Sequence, residues 1–513
     1  MPSEPVLSSA TSDSGTASAS SYGEILRTSV LIGGSSVLNV VIRVARIKAL
    51  AVMLGPAGIG LLGILSAIED LASSIAGMGL RMSGVRQIAD AASRKDEAAV
   101  AVTVTVLRRI SRWLAVAGCI SVIAFCRPIS TFSFGTDRYM LPVALIGLAV
   151  FFRVITDGHG AVIHGLRRIE DLARLGPIGA LLGALVGVGI VYLLGEQGIA
   201  PANVAAAALA LGVTWWFRKR IKVATPVLTN PQVREEAVRL LRLGAAFMAS
   251  GMLILGATYG ARIIVLQHEG FEAAGLYQAA VAVGSLYVTI VLQAMSSDFY
   301  PRLVGAASDD AQCNRLVNEQ AHISLLLAGP GITATLTLAY FLVHLLYSAE
   351  FAGAAPALQW ICAGMALRVI SWPLGMVMLA KNSQKVFFWS ELAWNSLSVG
   401  LTWFAVSRMG LVGAGYAFAG TQVFHALMTY SIVRHLSGFR WSPLNRALGT
   451  RFLLSVVAVL VAFLTLPQGP AVVFGLLVTF LSGIYSLLGL VRVVSPGRLP
   501  PVVRRVVSCF ESF

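Results

Sequence analysis

Charge is scarce in this sequence, and most of it has one sign. Only 24 Asp and Glu stand against 39 Lys and Arg in 513 residues, so charged side chains make up 12% of the chain while hydrophobic ones make up 57%. A composition this apolar excludes a soluble globular domain and leaves a polytopic membrane protein. Cysteine is scarce as well: Cys119, Cys126, Cys313, Cys362 and Cys509 are odd in number and form no CxxC pair, which excludes a disulfide framework or a zinc site. No Gly-Lys pair occurs, so there is no Walker A loop, and no HExxH occurs either. His159 and His164 are five apart and point to different helix faces, so no metal chemistry is expected. Gly58-Ile59-Gly60-Leu61-Leu62-Gly63 fits G-x-G-x-x-G, but it joins two apolar runs and follows no strand, so it does not indicate a nucleotide fold. The chain is expected to be neither an enzyme nor the holder of any cofactor.

What is present is hydrophobic length. Apolar runs of about 20 residues give fourteen candidate transmembrane helices; twelve stays open if the last hairpin, 451–491, is misread. The first 22 residues are rich in Ser, Ala and Thr and lack the order of a signal peptide, so residues 1–26 read as a disordered cytoplasmic tail. The remaining divisions are an N-terminal six-helix lobe over 27–217, a linker over 218–243, a C-terminal six-helix lobe over 244–433, the extra hairpin, and a tail over 492–513. In the linker, Asn230-Pro231 opens an amphipathic helix with Arg234, Glu235, Glu236, Arg239 and Arg242, expected to lie on the cytoplasmic face as a tether.

Orientation follows from the loops. Alternate connections carry 21 Lys and Arg, whereas the others carry only Arg127, Arg138 and Arg408, so both termini are expected in the cytoplasm. Much of the net charge of +15 is this topology signal, and no nucleic-acid partner is needed to explain it.

The two halves resemble each other. Arg46-Ile47-x-x-Leu50 leads to Gly60-Leu61, and Arg262-Ile263-x-x-Leu266 leads to Gly275-Leu276, offset by 216 residues at the arginine and 215 at the glycine. Six spans separate the copies, an even number, so the halves insert the same way up, as a parallel repeat with a central site between lobes.

Cations also sit deep in apolar runs. Arg43, Arg153 and Arg368 lie many residues from either end of theirs, and a cation at bilayer depth costs at least ~2.5 kcal/mol unless it faces a polar cavity. Helical spacing sorts the polar residues into stripes: Ser36, Asn39, Arg43 and Arg46; Ser66, Asp70, Ser73 and Gly77; Arg153, Asp157, Gly160 and His164; Glu391, Asn395, Ser398 and Thr402. These are the expected walls of a water-lined cavity. Blander readings stand beside this one. Lys48 snorkels outward, Arg262 divides between snorkelling and cavity, and Arg153 and Asp157 at i+4 could be a structural ion pair. Arg43 and Arg368 have no acid four residues away and are the strongest candidates for an external anion. Asp70, Asp157, Asp298 and Glu391 either balance arginines across the bundle or form a proton or cation site.

Leu54-Gly55-Pro56-Ala57-Gly58-Ile59-Gly60 after an arginine-bearing first helix resembles the Wzx-type O-antigen and polysaccharide flippases of the multidrug/oligosaccharidyl-lipid/polysaccharide (MOP) exporter superfamily. So do Tyr347-Ser348-Ala349-Glu350-Phe351-Ala352-Gly353-Ala354, Arg368-Val369-Ile370-Ser371-Trp372-Pro373-Leu374-Gly375 and Ala380-Lys381. The resemblance runs from about Arg27 to Leu436. It implies an all-α integral membrane fold of two six-helix lobes around a V-shaped cationic cavity, alternating between inward and outward access. The implied cargo is an oligosaccharide on undecaprenyl pyrophosphate, moved across the bacterial inner membrane, with a polysaccharide polymerase and chain-length machinery as further partners. The family's arginines in the first, seventh and neighbouring helices imply that Arg43, Arg46 and Arg262 contact the pyrophosphate, and Arg368 carries over on one local motif; Asn39 and Arg153 join the candidate substrate-binding residues from the stripe reading alone. A lipid II flippase shares this logic and stands as the alternative. A cation-coupled drug exporter would want an acidic or aromatic pocket, and a membrane glycosyltransferase or polymerase would want a substantial outer loop. Coupling to a proton or sodium ion, or to voltage alone, stays open.

Overall fold

The computed structural model describes residues 14–493, with side chains from Gly33 to Arg492 apart from 246, 250 and 297. Residues 1–13 and 494–513, parts of the two expected tails, lie outside the described residues. Residues 14–26 begin the first helix.

Every regular element among the described residues is helical: α1 (Ser14–Gly77), α2 (Leu80–Ser93), α3 (Glu97–Ala124), α4 (Cys126–Phe134), α5 (Met140–Gly165), α6 (Ile169–Leu194), α7 (Ile199–Lys219), α8 (Asn230–Gly305), α9 (Asp310–Thr337), α10 (Ala339–Leu346), α11 (Ala355–Ala380), α12 (Gln384–Ser437), α13 (Pro443–Thr465) and α14 (Gln468–Val493), with short 3₁₀ turns at Gly195–Gly198 and Ala349–Ala354. Four apolar stretches are too long for one crossing, namely Gly33–Gly77, Ile169–Lys219, Gly251–Ser296 and Gln384–Ser437, of 45, 51, 46 and 54 residues. At 1.5 Å per residue each is roughly twice the ~30 Å hydrocarbon core. Each is broken by a glycine at positive φ: Gly55 (φ 62), Gly195 (φ 59), Gly270 (φ 85) and Gly410 (φ 61). With ψ near −140 to −180° this is backbone that glycine alone adopts readily, so a short break there replaces a loop. Counting each broken stretch as two spans, and each bent pair (α3 with α4, α9 with α10) as one, gives the fourteen expected crossings.

The breaks repeat. Gly55 and Gly270 are 215 residues apart, and so are Gly195 and Gly410. The bends do likewise: Phe125 after α3 (φ −98, ψ 13) matches Leu338 after α9 (φ −93, ψ 18), and the two pairs bend by 61° and 82°. The internal repeat read from one arginine and one glycine thus extends through the backbone of both halves.

Compactness divides the chain differently from the expected lobes. One unit comprises residues up to Ile47, Ala72–Cys126 and Leu141–Met248; the other comprises Lys48–Leu71, Arg127–Met140 and the chain from Ala249 onward. In the first unit, Leu80, Ile88, Val104, Leu107, Ala161, Val162 and Leu240 form a dry core. Thr103 donates a 2.7 Å hydrogen bond to Glu236 there, tying α3 to the start of α8. The expected linker helix is therefore no separate tether: it is the first part of α8, continuous with the span that follows. It also starts at Asn230, one residue earlier than an Asn cap requires. Thr229 caps it, with the Gln232 side chain accepting from the Thr229 amide at 3.0 Å.

In the second unit, Phe299, Leu303, Val317, Leu374, Val377, Val433 and Phe439 form a cluster of buried apolar side chains around α8, α9, α11 and α12. α14 lies along α9, with Gly475 against Thr337 and Gly489 against Leu326, while Phe452 of α13 meets Gly329. Leu454, Leu464, Leu477 and Phe480 of this hairpin remain exposed, as lipid-facing residues do.

Candidate functional site

The second unit contains a contact between equivalent positions of the two repeats. A Cβ placed on Gly60 would fall on the carbonyl of Phe271 and 3.0 Å from the Gly275 nitrogen; a Cβ on Gly275 would fall on the carbonyl of Pro56 and 3.0 Å from the Gly60 nitrogen. Pro56 pairs with Phe271, and Gly60 with Gly275, by the same 215-residue shift, so a local two-fold axis passes between the glycines. Two backbones approach this closely only where neither residue has a side chain. Around the crossing, Arg262 donates to the Gly63 carbonyl at 2.8 Å, and Asp70 and Tyr277 lie within electrostatic reach of its guanidinium. Arg262 is thus neither a snorkelling residue nor one open to a cavity alone; it is bound to the first-repeat helix. Phe134, Tyr139 and Phe271 stack beside the crossing, with centroids 4.5 to 6.0 Å apart, and the Ser133 and Tyr259 hydroxyls share a 2.6 Å hydrogen bond. Lys48 donates an exposed hydrogen bond to the His344 carbonyl at 3.0 Å.

Arg368, in the middle of α11, belongs to a polar nest of the same unit. Its guanidinium lies 5.9 Å from the Trp394 ring and within electrostatic reach of Glu391 and His425. Glu391 is buried, at 9% exposure, and its carboxylate accepts from the Asn395 amide at 3.3 Å. His425 stacks on Trp394 at 4.7 Å and is 3.2 Å from the Ser371 hydroxyl. Arg368 therefore has its acid on the neighbouring helix, beyond the reach of i,i+4 inspection. Glu391, Asn395 and Thr402 are all buried, so this stripe is a packed helix face and not the water-lined wall that its spacing predicts.

The first unit holds the other candidates. Arg43 is exposed and takes part in no ion pair among the described residues. Arg46 is half-buried one turn on. Asn39 packs against α6, where a Cβ on Gly176 would stand 2.9 Å from its amide nitrogen. Arg153 lies within electrostatic reach of Asp157, and Asp157 also meets Arg81 at 3.7 Å. Asp157 thus serves two arginines, one of them outside its own helix. Asp298 is placed apart from all of these. It is exposed on α8, 3.2 Å from Arg302, which also reaches Glu319 at 3.9 Å. No group of three or more His, Cys, Asp or Glu suited to a metal occurs among the described residues.

The model of the polysaccharide biosynthesis protein family matches residues 49–356. The chain belongs to that family. It is 21% identical over 378 residues to the lipid III flippase of Escherichia coli (strain K12), covering 73% of this chain and 90% of that one. In structure it is similar to the lipid II flippase MurJ in an inward closed conformation, with a TM-score of 0.65 at 13% identity over 91% of this chain and all of MurJ. It is also similar to an inward-facing MATE multidrug transporter of the MOP superfamily, with a TM-score of 0.64 at 15% identity over 78% and 96%. The fold is that of these MOP superfamily structures, and the chain is a multi-pass membrane protein. The arginines that sequence inspection missed lie in α3: Arg108, Arg109 and Arg112 fall inside a run that reads as apolar because Val, Leu, Ile and Trp surround them. Their i, i+1, i+4 grouping was the available signal.

Proposed function

We propose that this protein is a non-enzymatic flippase that moves an undecaprenyl-pyrophosphate-linked oligosaccharide, an O-antigen or exopolysaccharide repeat unit, from the cytoplasmic to the outer leaflet of a bacterial inner membrane. The family match over 49–356 carries this reading. The E. coli relative, by name a lipid III flippase, supports it. In the proposed mechanism access alternates between the two sides, and arginines bind the pyrophosphate. Arg43 is the first of them, because it is exposed and takes part in no ion pair among the described residues; Arg46, Arg153, Arg262 and Arg368 are the other proposed arginines, and Asn39 is a further proposed contact. Guanidinium forks replace the water of a pyrophosphate with paired charge-assisted hydrogen bonds, which a bare hydrocarbon core cannot do.

Moving negative charge outward against a negative interior is favoured by ~2.3 kcal/mol per charge per 100 mV, so voltage alone supplies a bias. Glu391 is the strongest candidate for any proton or sodium coupling, being buried beside Arg368, with Asp70 and Asp157 balancing charge near Arg262 and Arg153.

The test is deletion in the source bacterium. The expected result is loss of one surface polysaccharide and accumulation of its lipid-linked repeat unit on the inner face, with growth maintained. Arrested growth with accumulated lipid II would instead establish the lipid II alternative. Normal polysaccharide together with drug sensitivity would establish an exporter.

A further inference from the structure

One end of the first unit gathers cations that no carboxylate meets. α3 and α5 run antiparallel in a fixed register: Gly158 backs onto Ser111, Gly118 meets Val150, and Gly147 sits against Cys119, Val122 and Ile123. That register sets His159 of α5 beside the turn of α3 that carries Arg108 and Arg112, where the Arg112 Nε donates to the Arg108 carbonyl at 3.2 Å. Arg218, in the last turn of α7, completes the group, and all three arginines lie within electrostatic reach of His159. The Nδ1 of His159 and the Nε of Arg218 are buried and without a hydrogen-bond partner. Arg109, Lys219, Arg220 and Lys222 extend the patch. No ion pair among the described residues includes any of these cations.

Three tryptophans flank the patch: Trp113 at 69% exposure, and Trp215 and Trp216 at 48% each. Arg220 lies 3.5 Å from the Trp216 ring and Lys219 5.3 Å from that of Trp215. Exposed tryptophan beside lysine and arginine at a helix end is the pattern of a membrane-water interface. A cluster of like charges held together there repels itself unless an anion joins it, and basic pockets between transmembrane helices take anionic headgroups.

We propose that Arg108, Arg112, Arg218 and His159 form a binding site for the phosphate of an anionic phospholipid in the leaflet that contacts the Lys/Arg-rich face. The tryptophans point the site at bilayer lipid, and none of its residues is among the arginines of the transport reading. Two guanidinium forks take the phosphate oxygens, the unpartnered Arg218 Nε gains an acceptor, and the His159 Nδ1 gains a partner in the same headgroup.

Native mass spectrometry of the purified full chain, titrated with phosphatidylglycerol or phosphatidylcholine, tests this. The wild type retains phosphatidylglycerol over phosphatidylcholine, and less of it as salt rises. The Arg112→Gln/Arg218→Gln variant weakens that retention by about 30-fold, at ~1 kcal/mol per cation. Arg302→Gln/Arg315→Gln, which removes the same charge from ion-paired surface positions, leaves it unchanged. Should the glutamine variant fail to fold, Arg112→Lys/Arg218→Lys keeps the charge and should keep most of the binding. Equal retention in all variants, or retention indifferent to salt, overturns the proposal. So does a glutamine variant that loses undecaprenyl pyrophosphate while keeping phosphatidylglycerol, since the site would then serve the cargo.

Discussion

The α6–α7 hairpin of the first half and the α12 hairpin of the second share one backbone plan and differ in what fills it. Gly195 and Gly410 break them at nearly the same dihedral angles, 215 residues apart. In the first, Gly179 faces Ala210, Gly183 faces Ala206 at 3.3 Å and Gly187 faces Ala202 at 3.8 Å, a dry zip of small residues. The positions equivalent to Gly176, Gly179 and Ala210 in the second are Glu391, Trp394 and His425. The contact that joins Gly179 to Ala210 there joins Trp394 to His425. Arg153 and Arg368 are likewise equivalent, yet Arg153 finds its acid at Asp157 on its own helix and Arg368 finds Glu391 on the next. Backbone breaks carry the symmetry, and side chains carry the division of labour.

The comparison breaks most sharply at Glu391. Glu391→Gln leaves the Arg368 charge without its carboxylate and should cost about 3 to 5 kcal/mol of stability, whereas Glu391→Gln/Arg368→Gln should recover most of it. Thermal unfolding in detergent measures both, and a single variant as stable as the wild type would remove the pair from the nest. If coupling also runs through Glu391, the pH or sodium dependence of transport changes in Glu391→Gln protein that still inserts, and an unchanged ion profile removes that role.

Next is the glycine crossing. Gly275→Ala sets a methyl group on the Pro56 carbonyl and should cost about 1 to 3 kcal/mol. Gly189→Ala in the first half, where a Cβ meets nothing within 4 Å, should be neutral or mildly stabilising. Equal effects would mean the crossing is not tight. Trp394→Leu follows, at about 1 kcal/mol from the lost cation–π and ring contacts, read in the same melts. Smallest is Asp298→Asn: its exposed pair with Arg302 contributes less than about 1 kcal/mol, and surface polysaccharide should stay normal. A clear transport defect there would return Asp298 to the coupling candidates.

Much of this was legible in the sequence. The fourteen spans follow from apolar length, and the repeat showed through Arg46, Arg262, Gly60 and Gly275. Gly195 and Gly410 went unread because 50 glycines offer too many pairings for one offset to stand out. The partners of Arg368 and Arg262 come from other helices, so spacing within one helix was blind to them. The same limit turned the Glu391 stripe into an expected cavity wall, since a polar stripe looks alike whether water or another helix covers it. Asp298 read as a charge-balancing or ion-site candidate because it closes a long apolar run, although its own side chain is exposed between the buried Leu292 and Phe299 turns.

The most direct test of the central claim is transport of an undecaprenyl-pyrophosphate-linked oligosaccharide in vesicles holding the wild type, Arg43→Lys or Arg43→Ala at equal insertion. Arg43 is the cleanest probe, because its loss disturbs no ion pair among the described residues. The account predicts a partial loss with lysine, which keeps the charge but not the fork, and near-complete loss with alanine. Wild-type transport by the alanine variant would contradict it.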